Sequence, residues 1–440
     1  MSDKLKDILD KVKEYEQEKL SDKKWEKGKD FVQYAGPVFD EHEAVAAVKT
    51  ILEGWLVLGH KGLDFEKKFS KILGCDFGVL TNSGSSSNLI MMQALKSRRT
   101  YGLPDGTRVI TPIAGFPTTV NPIFQSDFLP TFVDIDLDTL NLNLEQVEEK
   151  VKLGAKVITF AHVLGNPPNM DKLMEIVKDN NLLLLEDCCD ALDSTYKGKR
   201  LGSFGEFSSC SFYPAHHITM GEGGFVATDT HLKETVARSL REWGRGCYCV
   251  GKKAGLSKKG SCGRRFDNWL ESIPDQIFDH KYVYDEIGYN LKPIEVQAAM
   301  GLEQLKKLPS ITQRRKENHA DLCKAFSKHE EHFILPKAQE GSDPNWFAFA
   351  VTIKDGAPFT RNQIVSYLED NKIQTRPYFA GNIMLQPAYK GYMDYKTIAR
   401  DYPNARKVTT DTFFLGTSPV ITKEQIDYVE EKLDYFIKNL

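Results

Sequence analysis

The sequence predicts an α/β protein with a large domain built on a mostly parallel mixed sheet and a smaller C-terminal α+β domain. Three observations carry that prediction. From about Phe39 onward, short apolar segments alternate with helical periods. Most of these segments run into Gly, Pro, Asn or Asp before the next helical period, as in the strand–helix units of a parallel sheet. The chain also has 440 residues, too many for one small domain.

Taken in order, residues 4–29 are charged and carry Leu5, Ile8, Leu9, Val12 and Tyr15 at near-helical spacing. This marks an amphipathic extension, residues 1–35, that packs on the body or on a partner subunit. The large domain is expected over residues 36–310, with strands at Phe77–Leu80, Arg108–Thr111, Leu129–Val133, Lys156–Phe160 and Leu182–Leu185. Residues just past such strands face the ligand crevice of a parallel sheet. Residues 243–289 break the rhythm, being rich in Gly, Lys, Arg, Cys and aromatics, and are expected to form a long functional insertion. An apolar helix over Pro293–Leu308 would lead into the small domain, residues 311–440, whose clearest strand is Trp346–Ile353.

Composition narrows the function classes. Hydrophobic residues make up 41% and charged residues 27%, with a formal net charge of −3. Nothing global points to nucleic acid or to an anionic membrane surface, and no apolar run approaches the roughly 20 residues that span a bilayer. The N-terminus lacks the apolar stretch of a secretory signal, so a cytoplasmic location is expected. There the eight cysteines would stay reduced unless they bind metal or do redox chemistry.

Three segments at strand ends carry candidate chemistry. Thr81-Asn82-Ser83-Gly84-Ser85-Ser86-Ser87 follows a strand and precedes an expected helix at Leu89–Leu95, where free N–H groups would receive a phosphate or serve as a plain helix cap. Leu182-Leu183-Leu184-Leu185-Glu186-Asp187 ends a buried strand on carboxylates, which need a cation such as a protonated pyridine nitrogen, a nearby Arg, or a capping role. Ser211-Phe212, three residues, His216, four residues, then Gly221-Glu222-Gly223-Gly224 is the third.

That third pattern resembles the sugar aminotransferase family (DegT/DnrJ/EryC/StrS) of the fold-type I pyridoxal phosphate enzymes, with histidine where the family carries its cofactor lysine. Glu186-Asp187 lies at the family's distance upstream. Gly288-Tyr289-Asn290-Leu291-Lys292 with Gln297-Ala298-Ala299 resembles the motif downstream. The resemblance covers nearly the whole chain beyond the extension. It implies a fold-type I aminotransferase-like architecture and a homodimer. Gly84, Ser85, Ser86 and Ser211 would hold the cofactor phosphate, with Asn290 reaching it from the neighbouring subunit. Asp187 would pair with the pyridinium nitrogen and Phe116 would stack on the ring. Asp190, where relatives carry Gln, would approach the ring hydroxyl. Taken alone, Phe116 would read as a core aromatic.

Histidine at position 216 changes the expected reaction. An imidazole cannot form the lysine's stable Schiff base, but it can act as a base near neutral pH. The cofactor would then be held non-covalently as pyridoxamine phosphate (PMP), the amine form of pyridoxal phosphate (PLP). The implied outcome is C3 deoxygenation (dehydration) of a nucleotide-linked 4-keto-6-deoxyhexose, in 3,6-dideoxysugar and lipopolysaccharide O-antigen biosynthesis, with His216 as base. His217 is adjacent, but the motif's register assigns the slot to His216.

The cysteines select a branch of that family. Cys189, then Cys247 after 57 intervening residues, Cys249 and Cys262 follow the order of the branch that carries a [2Fe–2S] cluster, whose substrate is CDP-4-keto-6-deoxy-D-glucose. Four thiolates are the right count for such a cluster, although the spacer before Cys262 is longer than the branch usually has. A zinc site or unligated thiols are the alternatives. The cluster would take electrons from an NAD(P)H-dependent flavin and iron–sulfur reductase, and the basic residues Lys252, Lys253, Lys258, Lys259, Arg264 and Arg265 would dock it or form a solvated loop. The competing functions are a cluster-free 3-dehydrase that regenerates the amine with glutamate and a non-catalytic nucleotide-sugar-binding protein.

Overall fold

The computed structural model describes residues 2–21, 24–247 and 265–440. Five strands are reached first: β1 Phe77–Thr81, β2 Arg108–Pro112, β3 Leu129–Val133, β4 Val157–Ala161 and β5 Leu183–Asp187. A short pair follows, β6 Thr195–Tyr196 and β7 Lys199–Arg200, then β8 Phe207–Ser211 and β9 Gly224–Thr228. The C-terminal part holds β10 Phe333–Ile334, β11 Ser342–Asp343, β12 Ala348–Ile353, β13 Arg376–Pro377 and β14 Thr412–Gly416.

Seven strands form the main sheet in the order β1-β9-β8-β5-β4-β2-β3, and only β9 runs against the rest. This is the mostly parallel mixed sheet the sequence predicts. Its strands are short and nearly all apolar because helices cover both faces. Leu80, Ile110, Ile158 and Leu184 are fully buried in one core, and Val79, Val109, Val157 and Leu185 in another. A second, four-stranded sheet, β10-β12-β14-β13, is wholly antiparallel and packs Phe349, Val351, Phe413 and Leu415 against the C-terminal helices.

Several elements depart from the predicted bounds in ways that matter for the site. The helix expected at Leu89–Leu95 spans Gly84–Lys96, because Ser83 caps it by accepting a hydrogen bond from the Ser86 amide. The phosphate candidates therefore lie inside its first turn. Strand β5 runs to Asp187, so the carboxylate ends the strand itself. The helix expected to stop at Leu308 continues from Glu295 to Ser327 with Pro309 inside it, crossing the boundary expected at 310/311 without a linker.

The N-terminal extension forms a helix over Asp3–Ser21 that buries Leu9 and donates from Gln17 Nε2 to Glu41 Oε1 at 2.8 Å. Past it, Val32 pairs with Ile373, so this part of the chain lies along the C-terminal sheet. Of the insertion, residues 265–289 form loops with one short 3₁₀ turn at His280–Tyr282. Among the described residues no helix is long and apolar enough to cross a membrane.

Candidate active site

The ends of β5 and β8, the first turn of Gly84–Lys96 and the start of helix Pro117–Gln125 converge on a cavity of about 360 Å³. Strand β5 is the middle strand of the seven, so Asp187 stands at the centre of the sheet's C-terminal edge. The cavity is lined on that side by Gly84, Ser85, Phe116, Asp187, Asp190 and Ser211. Tyr34, Phe347, Arg376 and Phe379, brought in from the N-terminal extension and the C-terminal part, complete the lining.

Asp187 is 5% exposed and is held by neutral donors alone. Its Oδ2 accepts from Asn88 Nδ2 at 2.8 Å and Thr119 Oγ at 2.7 Å, and its Oδ1 accepts from the Cys189 amide at 3.1 Å. Ser209 in turn donates to Asn88 Oδ1, which fixes the amide's orientation. A buried carboxylate without a cationic partner is costly, and a pyridinium nitrogen entering the cavity would supply that cation. Asn88 lies one turn past Gly84 on the same helix. Thr119 follows Pro117, whose fixed φ suits a first helical position.

Glycine is required at position 84. A Cβ there would lie 2.6 Å from Ser211 Cβ and 2.8 Å from Cys189 Sγ. Gly84 and Ser85 lie in the first helical turn, where N–H groups have no partner inside the helix, and both line the cavity beside Ser211. This is a fitting cradle for a phosphate. Phe116 is 51% exposed, at the helix N-terminus, and meets Phe379 edge-on across the cavity with centroids 6.0 Å apart. It is therefore a wall residue rather than a core aromatic.

Ser86 does not belong to this lining. Its hydroxyl donates to Asn82 Oδ1 at 2.6 Å, turned away by the cap. Asn290 also stays outside its own chain's cavity, exposed, and accepts from Lys292 Nζ at 3.0 Å.

His216 sits in the turn between β8 and β9, in the cavity wall, with its ring tilted on Phe347 at 5.3 Å. Its Nδ1 lies 3.4 Å from Asp190 Oδ1 but makes no hydrogen bond. Asp190, expected at the cofactor's ring hydroxyl, is thus placed beside the imidazole. The His216 carbonyl accepts from Arg315 Nη2 at 3.1 Å, and Arg315 Nη1 donates to the Phe347 carbonyl at 3.0 Å. Burial draws the Arg315 guanidinium down to about 10, with Asp190 opposing, so it stays charged at neutral pH. His217 is 3% exposed and bonds through Nε2 to the Asn345 carbonyl at 2.9 Å. Burial, aided by Arg315, pushes its pKa far below the ordinary histidine value, so it stays neutral, buried behind the cavity lining rather than in it.

Of the four cysteines, Cys189 lines the cavity next to Asp187. Burial, then the Asp187 charge, push its thiol well above the usual range. Cys247 is partly buried at the start of the insertion, while Cys249 and Cys262 lie outside the described residues, as do Lys252, Lys253, Lys258, Lys259 and Arg264. Arg265 is described and pairs with Asp279 at 2.7 Å.

Sequence reasoning missed Tyr34, Asn88, Thr119, Arg315 and Arg376. The spacing from Gly84 would have pointed to Asn88, and Thr119 lies within the Phe116 motif. The others come from remote segments with no local pattern.

A centre-of-sheet carboxylate, a small-residue helix start and a cavity lined from both sheets match the aminotransferase-like class of α/β proteins. The pattern of the DegT/DnrJ/EryC1/StrS aminotransferase family matches residues 38–434, and the chain belongs to that family. It is 41% identical to the lipopolysaccharide biosynthesis protein RfbH of Salmonella typhimurium, over 97% of this chain and 96% of the relative. It is 40% identical to the dTDP-4-dehydro-2,6-dideoxy-D-glucose 3-dehydratase of Saccharopolyspora spinosa, covering 98% of this chain and 91% of that one. Among solved structures, E. coli GDP-4-keto-6-deoxy-D-mannose-3-dehydratase with bound hydrated PLP superposes with a TM-score of 0.79 at 29% identity, covering 91% of this chain and 98% of that one.

Proposed function

We propose that the protein is a PMP-dependent 3-dehydratase of a nucleotide-linked 4-keto-6-deoxyhexose, with His216 as its base. The observation that carries this reading is His216 itself, an imidazole in the cavity at the family's lysine position, with Nδ1 unpartnered 3.4 Å from Asp190. Two relatives named as 3-dehydratases of such sugars, at 40% and 30% identity, support the reaction class.

Gly84, Ser85 and Ser211 would hold the cofactor phosphate, Asp187 the ring nitrogen, and Phe116 one ring face. When bound, PMP supplies an amine for the substrate's keto group and an electron sink that acidifies its C4′ hydrogens. His216 would hold the proton drawn from that carbon and return it to the departing C3 hydroxyl, which leaves as water. Asp190 would orient the imidazole and stabilise its protonated form. The Arg315 grip on the His216 carbonyl fixes the loop that carries the base.

The substrate we favour is CDP-4-keto-6-deoxy-D-glucose, and the reading includes a [2Fe–2S] cluster on Cys189, Cys247, Cys249 and Cys262. Supporting it are the order of the four cysteines and the place of Cys189 in the cofactor cavity wall, where a bound cluster would abut the reacting group. Metal ligation removes the thiol proton that burial otherwise retains. The cluster would relay electrons from a flavin and iron–sulfur reductase that uses NAD(P)H in the cytoplasm. A homodimer is part of this reading: Trp55, Leu56, Val57, Ile287 and Ile294 leave an exposed apolar surface near Asn290. The division into residues 1–35, 36–310 and 311–440 is likewise proposed.

A cluster-free enzyme regenerated by glutamate is the second reading, favoured by a 29%-identical structure of GDP-4-keto-6-deoxymannose-3-dehydratase that carries trapped PLP-glutamate. Iron analysis of anaerobically purified protein decides between them. Two irons per chain, lost in Cys189→Ser, support the cluster, and iron-free protein that turns over with glutamate removes it. For the cofactor, borohydride treatment with PLP should leave no adduct on residues 211–224, and a stoichiometric adduct there would overturn the assignment.

A further inference from the structure

The cavity lining holds a cation that the chemistry above does not use. Arg376, in β13, is the one Lys or Arg among the described lining residues. Its Cζ sits 4.0 Å from the centre of the Tyr34 ring, and its Nη1 donates to the Thr375 carbonyl at 2.7 Å. Neither contact is to a carboxylate, and one hydrogen bond leaves most of the five-donor fork available. The cavity's own carboxylates are engaged elsewhere, Asp187 by Asn88 and Thr119 and Asp190 beside His216.

Two remote segments build this arrangement. Strand β13 pairs Arg376 with Phe414 in β14. Tyr34 arrives from the N-terminal extension, held by the Val32–Ile373 pairing and by its amide donating to Gln374 Oε1 at 3.3 Å. The stack spreads the guanidinium over an aromatic face, where it is stabilised without being neutralised. A guanidinium placed this way matches a phosphate or carboxylate in two-pronged fashion.

We propose that Arg376, braced on Tyr34, binds the diphosphate of the nucleotide sugar and so sets how far the sugar reaches toward His216. The proposal rests on the nucleotide-sugar reading above. The cradle at Gly84, Ser85 and Ser211 is taken by the cofactor phosphate in that reading, so the substrate's own charge needs a second partner, and Arg376 is the one Lys or Arg in the described lining.

The test is calorimetric titration of the PMP-loaded full chain with CDP, GDP and dTDP, and separately with L-glutamate. Wild type, Arg376→Met, Arg376→Lys, Tyr34→Phe and Tyr34→Ala are compared, with PMP affinity as the check on folding. The nucleoside diphosphate that wild type binds best should bind Arg376→Met about tenfold to a hundredfold more weakly, the size of a lost charge-assisted hydrogen bond. Arg376→Lys should recover part of that loss. Tyr34→Phe should behave as wild type and Tyr34→Ala should lose a few-fold, with PMP and glutamate affinities unmoved. Unchanged nucleotide affinity in Arg376→Met overturns the proposal, and loss of glutamate binding alone gives the site to a carboxylate and overturns it too. A wild-type protein that binds none of the three nucleotides contradicts the functional reading itself, and this proposal with it.

Discussion

The floor and the outer wall of the cavity treat charge in opposite ways. On the floor, Asp187 is buried and gripped by Asn88, Thr119 and the Cys189 amide, each itself anchored in a helix or at a strand end. On the wall, Arg376 rests on one ring and one carbonyl. A floor locked in advance suits a group that is the same in every turnover. A wall with an underused cation suits one that arrives and leaves. His216 stands at the seam, its ring on Phe347 of the wall and its turn rooted in β8 of the floor.

Substitution at the seam should have the largest effect. His216→Asn is expected to slow exchange of the cofactor's C4′ hydrogen by about 10²–10⁴-fold, the usual contribution of a positioned base, while PMP affinity holds. NMR-detected exchange into deuterated water measures it. Exchange at the wild-type rate would move the base role elsewhere. His217 is a poor substitute, being buried against the Asn345 carbonyl.

A floor substitution should next separate cofactor from substrate. Asp187→Ala strips the carboxylate from a buried pair, a change worth about 2–5 kcal/mol. PMP should bind about thirtyfold to several thousandfold more weakly in a fluorescence titration. An unchanged affinity would mean that Asp187 does not meet the ring nitrogen.

The wall's support carries a pH signature. His319 stacks on Trp346, ring centroids 4.0 Å apart, just before the Phe347 that meets His216. Burial draws the His319 pKa from 6.5 to about 3. The unfolded chain therefore takes up the proton first. The stabilising contribution is present above the unfolded pKa near 6.5 and is lost as pH falls toward 3. Between pH 7 and 5 it should remove about 2 kcal/mol of folding stability. Urea unfolding at the two pH values measures this, and His319→Phe should flatten the difference by that amount. An equal slope in the variant would assign the acid sensitivity to other groups, His217 first among them.

The smallest effect tests where the floor ends. Ser86 is capped away from the cavity by Ser83 and Asn82. Ser86→Ala should shift PMP affinity less than about threefold, within the range of a lost surface hydrogen bond. A tenfold loss would place Ser86 on the phosphate.

This division also explains what the sequence made legible. The floor's residues lie within short stretches after β1, β2, β5 and β8, where strand ends, a helix cap and Pro117 impose local patterns. Local pattern singled out Gly84 and Asp187, whereas Phe116, Ser211 and His216 became legible only through the family motif; all five line the cavity. The wall is assembled from residues 34, 347, 376 and 379, whose approach depends on the antiparallel sheet and on an edge pairing of the N-terminal extension. No local period encodes such contacts. The helix expected over Pro293–Leu308 runs on to Ser327 with Pro309 inside it, because tertiary packing carries it past the end of its apolar stretch.

In the function proposed above, histidine in place of the cofactor lysine makes this aminotransferase-like site a dehydratase. The most direct test follows the C3 oxygen. PMP-loaded protein is incubated in ordinary water with CDP-4-keto-6-deoxy-D-glucose carrying oxygen-18 at C3, and the sugar is recovered for mass spectrometry. Wild type is expected to lose the label and His216→Asn to retain it. A 4-amino sugar that keeps its C3 label would contradict that function.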